Sequence, residues 1–429
     1  MFAPLLLSTV LAFQSRPPFD SATVTRLLTD LRSSDSIVCA LAGQSITNNG
    51  MWEWGGEPGM AMPQPMPTPM PMPGGGGGWG FDVGFHGHKH DLNPSVSAAF
   101  RAFIRDDNRC VRNIAARVLG NYGGSDSYTL FLGLLKDNRA DLRETGALGL
   151  AELEDSRALG PRSDALNGDD SPAVRTAAAR ALGEIEDKSS IDALTRALKD
   201  RVPEVRSTAA WALGEIEDKR AVQPLSVALS DQSLEVRLVA VWALGEIEDQ
   251  SAVPLLNTAA KDREPRVRRA VAWALGEIEN AEGVTPLETL VRDPDLSVRK
   301  TAVWALGEIE DASAVTPAAL ALKDADPDVR ALAAWALGEI ESETAVEPLL
   351  AALKDSDFDV RATAAWALGE IESPRARDGL IAAQRDESGS VRRAASWALR
   401  QINSNDDDDD GGGPHPHVHV HVPPIRVKP

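Results

Sequence analysis

One phrase recurs through the second half of the chain: Trp-Ala-Leu-Gly-Glu-Ile-Glu. It stands at residues 211–217, and its tryptophan returns at 242, 273, 304, 335 and 366, with a degraded copy at Trp397. The step is 31 residues each time. A fixed period of this size marks a stacked array. Each unit has an apolar face that it cannot bury alone, and its neighbours bury it.

The phrase closes a segment that is helical by pattern. On a helix running from Val205 to Ile216, Val205, Ala209, Ala212, Leu213 and Ile216 fall within one stripe of roughly 100°, as a core-facing helix requires. Ala210 and Gly214 lie on one flank, small enough for a neighbouring helix to come close. Trp211 points nearly opposite the stripe, together with Ser207, Thr208 and Glu215. Two readings follow. A row of exposed indoles is an apolar patch, and such patches mark interaction sites. Alternatively, each indole lies flat along the stack and covers the Gly and Ala of the adjacent helix. The two are compatible, because a half-packed indole still offers a face.

The rest of each copy is legible too. A first helix such as Val222-Gln-Pro-Leu-Ser-Val-Ala-Leu leads through a turn to the second. Ser171, Ser233, Asp295, Asp326, Asp357 and Ser388 stand at the expected N-cap of the second helix. Pro172, Pro203, Pro265 and Pro327 stand at or near its first position, where a missing N–H costs little. An arginine recurs at 175, 206, 237, 268, 299, 330, 361 and 392, at the edge of the core stripe, with an aspartate six residues upstream in most copies. We expect these to pair between turn and helix and between neighbours, in a structural role. Ten copies span residues 95–403; the first three, 95–124, 127–155 and 156–187, are degenerate.

The pattern Asp-x-x-x-x-Val-Arg-x-x-Ala-x-x-Ala-Leu-Gly-x-Ile, followed by Ala-Val-x-Pro-Leu, resembles the short HEAT-like repeats of bilin-lyase-type proteins and the designed repeat proteins idealised from them. The resemblance covers about 310 residues. It implies an all-α fold: a right-handed α-solenoid of stacked HEAT-like helix pairs, with the second helices lining the concave face. In the designed members, the positions equivalent to Ser207, Thr208, Trp211 and Glu215 are surface positions varied to create binding.

The flanks differ in kind. Residues 1–15 open with a short apolar run ending in Val-Leu-Ala, which resembles a secretory signal but lacks a basic leader segment. The expected location is periplasmic or extracellular, otherwise cytoplasmic. Residues 19–48 read as a divergent N-terminal cap repeat with helices near 23–32 and 36–46. Residues 49–93 are rich in Met, Pro, Gly and His and are expected to be a disordered insertion. Residues 404–429, with Asp406–Asp410 and an alternating His run, are expected to be a disordered tail. The two cysteines, Cys39 and Cys110, sit in no metal-type spacing. They either pair across neighbouring helices or are two small buried apolar residues.

Charge narrows the partners. With 64 acidic against 44 basic side chains, the formal net charge is −20. That argues against nucleic acid and anionic membranes, both of which need a basic surface. No stretch after the leader approaches the ~20 apolar residues of a membrane span.

Chemistry has few places to reside. All seven histidines lie outside the repeats, at His86, His88 and His90 and at His415, His417, His419 and His421. An alternating His strand puts its imidazoles on one side and can take Zn, Ni or Cu, and nearby methionines suit Cu(I). The bland reading is a solvated low-complexity segment with adventitious affinity. The repeats hold no His for a di-iron site, and no nucleophile–base set or phosphate loop is visible.

The sharper candidate is the ladder. Trp211, Trp242, Trp273, Trp304, Trp335, Trp366 and Trp397 are expected to recur at the helix stacking distance of ~8–10 Å. One turn of polyproline II helix spans about 9 Å. One helical turn on from the tryptophans stand Glu215, Glu246, Glu277, Glu308, Glu339 and Glu370, then Gln401. An aromatic and acidic groove suits a protein or extended peptide that is Pro-rich or basic. Arg269, Lys300 and Arg393 occupy the Ser207 position and are candidates to neutralise nearby glutamates. The expectation is therefore a non-enzymatic binding scaffold that needs no cofactor. Its alternatives are an exported metal-handling protein using the His and Met flanks, and a bilin-lyase-like enzyme. Oligomeric state is not legible.

Overall fold

The computed structural model describes residues 20–32, 92–124, 126–153 and 155–404. Among these residues there are α-helices and short 3-10 turns and no strand. The chain divides into two compact units between Pro161 and Arg162.

The first unit holds the helices Ser21–Leu31, Pro94–Phe103, Arg109–Tyr122, Asp126–Leu135 and Ala140–Glu152. Its core gathers Val24, Leu28, Phe100, Val111, Leu119 and Phe131. Side-chain caps start three of these helices: Asp20 accepts from the Thr23 N–H at 2.8 Å, Asn93 from Ser95 at 3.0 Å, and Asn108 from Cys110 at 2.9 Å. Leu92 and Asn93, read from sequence as insertion, belong to this unit, since the Leu92 N–H donates to the Tyr122 carbonyl at 2.9 Å. Cys110 is disulfide-bonded. The chain's other cysteine, Cys39, lies outside the described residues, as do the expected helix near 36–46, most of the insertion and the tail.

The second unit repeats one motif. Long helices, such as Pro203–Glu215, Leu234–Glu246, Pro265–Glu277 and Leu296–Glu308, alternate with short ones such as Val222–Ala228 and Val253–Ala259. Each long helix packs chiefly on the long helices before and after it. Small residues permit that approach. A Cβ on Gly214 would lie 2.9 Å from both Cα and Cβ of Ala243.

Each turn is built from hydrogen bonds that the local sequence supplies. The helix Pro203–Glu215 ends as Glu217 turns to φ 49°, and its N–H donates to the Gly214 carbonyl at 2.9 Å. Asp218 then accepts from the Arg220 N–H at 3.0 Å and starts a 3-10 turn into the short helix Val222–Ala228. At the next long helix, the caps divide by residue type. Asp295, Asp326 and Asp357 each accept two N–H groups of the first turn, whereas Ser171 and Ser233 make no capping bond. Where the cap is Ser, the aspartate two residues earlier still braces the turn: Asp231 accepts from the Ser233 N–H at 2.8 Å and Asp169 from Ser171 at 2.8 Å.

The recurring arginine and aspartate join neighbouring repeats. Arg206 sends Nη1 to the main-chain carbonyl of Asp200, six residues back, at 2.8 Å. Its Nε and Nη2 grip the carboxylate of Asp231 in the next repeat at 2.7 and 2.8 Å. The same fork recurs from Arg175 to Asp200, Arg237 to Asp262, Arg268 to Asp293, Arg299 to Asp324, Arg330 to Asp355 and Arg361 to Asp386. The arginine thus meets its upstream aspartate through the backbone and spends its charge on the following repeat.

Candidate functional site

The structure changes the picture of the tryptophans. Trp211, Trp242 and Trp397 are buried, and Trp273, Trp304, Trp335 and Trp366 are half-buried. Each lays its ring on the glycine of the preceding repeat, as Trp273 does on Gly245 and Trp335 on Gly307. A Cβ on either glycine would stand 2.7 Å from the indole Cζ3. The stacking reading is the geometry found, and the fully exposed one is corrected. Ser207 and Thr208, placed on the surface by the helical wheel, are also buried. The wheel treats one helix packed on one side. In a stack the long helix is covered by its short partner and by two long neighbours, which leaves only a narrow open strip.

That strip carries carboxylates. Glu215, Glu246, Glu277, Glu308, Glu339 and Glu370 are half-buried, one helical turn beyond the tryptophans. The side chains of Trp242, Trp273 and Trp335 lie against Glu246, Glu277 and Glu339 respectively and partly offset the upward push on those carboxyls. Burial, and then the charges of Glu277, Glu215 and Glu217, push the Glu246 carboxyl up to about 7. Glu308 is likewise pushed up to about 7 by burial and then by Glu277 and Glu339. Burial also raises Glu277 and Glu339. None of Glu246, Glu277, Glu308 and Glu339 forms an ion pair among the described residues. The expected neutralisers do not reach them: Lys300 pairs with Asp328 at 2.6 Å and Asp326 at 3.7 Å, and neither Arg269 nor Arg393 forms an ion pair among the described residues.

A second row escaped the sequence reading. Glu186, Glu217, Glu248, Glu279, Glu310, Glu341 and Glu372 all have positive φ, between 49° and 56°. This left-handed region favours glycine and costs other residues roughly 1–2 kcal/mol. All but the half-buried Glu372 are exposed. Their charges act on the first row: Glu279 and Glu310 both raise Glu308. The signal was present in the second Glu of Gly-Glu-Ile-Glu, which stands in every copy from 186 to 372.

Arg180 was missed for a different reason. It stands 31 residues before Trp211, at the ladder position where this copy lacks a tryptophan. Its guanidinium carbon lies over the Trp211 ring, 5.5 Å from the centroid. The chain itself therefore seats a cation on a ladder indole.

The metal candidates His86, His88, His90, His415, His417, His419 and His421 lie outside the described residues. Among the described residues no group of His, Cys, Asp and Glu is arranged to hold a metal ion, and no helix is long and apolar enough to cross a membrane.

The architecture has a match among protein families. The family model for HEAT repeats matches residues 159–233, 224–307 and 315–400, more than half of the chain. The chain belongs to the HEAT-repeat family. A further match, to the PBS lyase HEAT-like repeat, covers residues 298–325. HEAT-repeat solenoids commonly bind proteins. Importin beta shares the fold, with a TM-score of 0.53 at 16% identity over 75% of this chain and 53% of that one. An engineered protein aligns with a TM-score of 0.43 at 21% identity, covering 72% of this chain and 99% of its own. Human deoxyhypusine hydroxylase aligns with a TM-score of 0.28 at 24% identity, covering 58% of this chain and 96% of its own. No curated protein matches by sequence.

Proposed function

We propose that this HEAT-repeat protein is a non-enzymatic scaffold that binds an extended, basic polypeptide along its Trp/Glu strip. The observation that carries the reading is the row Glu246, Glu277, Glu308 and Glu339, half-buried and mutually repelling with no ion pair among the described residues. Holding such carboxylates together disfavours their charged form. A ligand that brings one cation per repeat relieves the repulsion at every step, which favours a multivalent cationic chain over a single small cation.

Four features support it. The half-buried rings of Trp273, Trp304, Trp335 and Trp366 lie one turn from these carboxylates. Arg180 over Trp211 is an internal instance of the contact that a ligand arginine would make. The positive-φ glutamates line the same end of each long helix at a backbone cost, and strain that persists copy after copy is a pointer to use. The spacing of successive long helices, ~8–10 Å, also suits one turn of a proline-rich ligand, about 9 Å.

The test is fluorescence anisotropy with a labelled peptide of alternating Pro and Arg. The triple variant Glu277→Gln, Glu308→Gln, Glu339→Gln keeps side-chain shape while removing charge. Binding should weaken by about tenfold or more, since hydrogen-bonded ion pairs contribute roughly 1.5–3 kcal/mol each. Equal affinity of wild type and variant would overturn the proposal. Tryptophan-to-alanine variants are less suitable, because each would also open a cavity against the preceding glycine.

A further inference from the structure

The last long helix, Gly389–Ser404, breaks the repeat in two ways. Arg400 stands 31 residues after Gly369, at the position where every earlier copy of the ladder phrase has glycine. Gly369 receives the ring of Trp397 and has no room for a Cβ, so an arginine at the same place forbids a further repeat from stacking there. Arg392 departs from its counterparts as well. Its Nη1 donates to the carbonyls of Asp386 and Glu387 at 2.7 and 2.8 Å, the bonds that Arg361 makes to Asp355 and Ser356 at 2.8 and 3.1 Å. Arg361 then turns Nε and Nη2 onto Asp386, whereas Nε and Nη2 of Arg392 meet no carboxylate among the described residues. Arg392 is thus held in the carboxylate-gripping pose and exposed, and Arg393 and Arg400 are exposed with it. At 100° per residue the three fall within a sector of about 100° of one helix.

We propose that this basic end face docks the aspartate run Asp406–Asp410 of the same chain, and that one of these carboxylates takes the fork of Arg392. Seven repeats supply the template for that contact, a bidentate arginine–carboxylate pair across a repeat boundary. Charge is complementary, with three arginines facing five aspartates. Chain length also agrees. Arg392 lies twelve residues before Ser404, about 18 Å along the helix at 1.5 Å per residue. The six residues from Ser404 to Asp410 reach about 20 Å when extended. Asp409 and Asp410 are therefore the members that reach Arg392, while Asp406 and Asp407 lie within reach of Arg400. The run would close the Arg–Asp series where the repeats stop, doing for the last arginine what the next repeat does for the others.

A zero-length crosslink in the full chain tests this. In the Arg392→Lys variant, a carbodiimide should join the introduced amine to Asp409 or Asp410 within one molecule, as mapped by mass spectrometry. Crosslinks only to another molecule would assign the face to a second copy and overturn the proposal, as would the absence of any crosslink to residues 406–410. A second readout uses the native arginine. Arg392→Gln, and a variant with all five aspartates changed to asparagine, should each speed amide exchange in the last long helix by about tenfold, and the combined variant should be no faster than either alone. Additive effects, or unchanged exchange in the five-asparagine variant, would overturn it equally.

Discussion

Trp242 seats its indole on Gly214, and a Cβ added to that glycine would stand 2.9 Å from Cζ3 of the ring and 2.9 Å from Cα of Ala243. The glycine is a contact surface between repeats. Gly214→Ala should therefore destabilise the protein. Overpacking costs typically 1–3 kcal/mol and the gain in helix propensity returns about 1, so the expected net loss is up to about 2 kcal/mol. Gly133 is the control: it is exposed in the helix Asp126–Leu135, and nothing lies within 4 Å of its added Cβ. Gly133→Ala should stabilise by about 1 kcal/mol. Denaturant titration of both variants checks the pair, and equal signs would contradict the packing argument.

The Arg237–Asp262 fork should set cooperativity across its boundary. Both side chains are largely buried, with the arginine 6% and the aspartate 11% exposed. Asp262→Asn leaves a buried guanidinium without its charge partner, and breaking such a pair costs about 3–5 kcal/mol where burial is complete. In a stack held by nearest-neighbour contacts, that loss is local. Urea unfolding of the variant should split into two transitions. A single transition at the wild-type midpoint would show that the fork contributes little.

The periodicity, the helix pairing and the close-approach glycines could be read from the residues, because each depends on sequence local to one copy. From the residues alone, the tryptophan orientation stays between two readings. Its burial depends on the neighbour that covers it, which a wheel drawn for one helix leaves out. The Arg–Asp pairing within the turn and between neighbours was legible, and the structure adds which carboxylate Arg206 grips: Asp231, 25 residues on, with Asp200 met through its carbonyl. The left-handed glutamates were hidden because nothing in a glutamate favours positive φ. The turn between helices imposes it.

Stability should depend on pH with a maximum at about pH 4, between the ordinary Asp and Glu values. Glu246 and Glu308 titrate at about 7 in the folded chain against an ordinary value of 4.5. Their folded pKa is raised, so their contribution is fully present below 4.5 and is lost as pH rises through 7. Asp355 and Asp386 behave oppositely. Hydrogen bonds from Arg330 and Arg361 hold them below the ordinary 3.8, so their contribution is lost as pH falls below that value. Calorimetric Tm measured from pH 3 to 9 should rise and then fall. Continued rise from pH 5 to 8 would contradict the unneutralised Glu row.

The left-handed glutamates should trade stability against binding. Glu310 has φ 50° and raises the pKa of Glu308. Glu310→Gly removes both the strain and the repulsion, and should stabilise the fold by about 1 kcal/mol. If the strip binds a basic chain, the same change should weaken that binding. Thermal melts and peptide anisotropy on one variant read the two effects together, and a gain or no change in affinity would count against this row as a contact.

Arg400 has a consequence for how such a chain can change length. Between Arg175 and Asp386 every junction uses the same two fittings, aspartate onto arginine and, from Gly183 onward, indole onto glycine, so a 31-residue cassette copied there meets compatible neighbours on both sides. Appended after Ser404, the same cassette would meet an arginine where its indole needs a glycine. The array can therefore be lengthened from within, but the direction in which it ends is written into a single side chain.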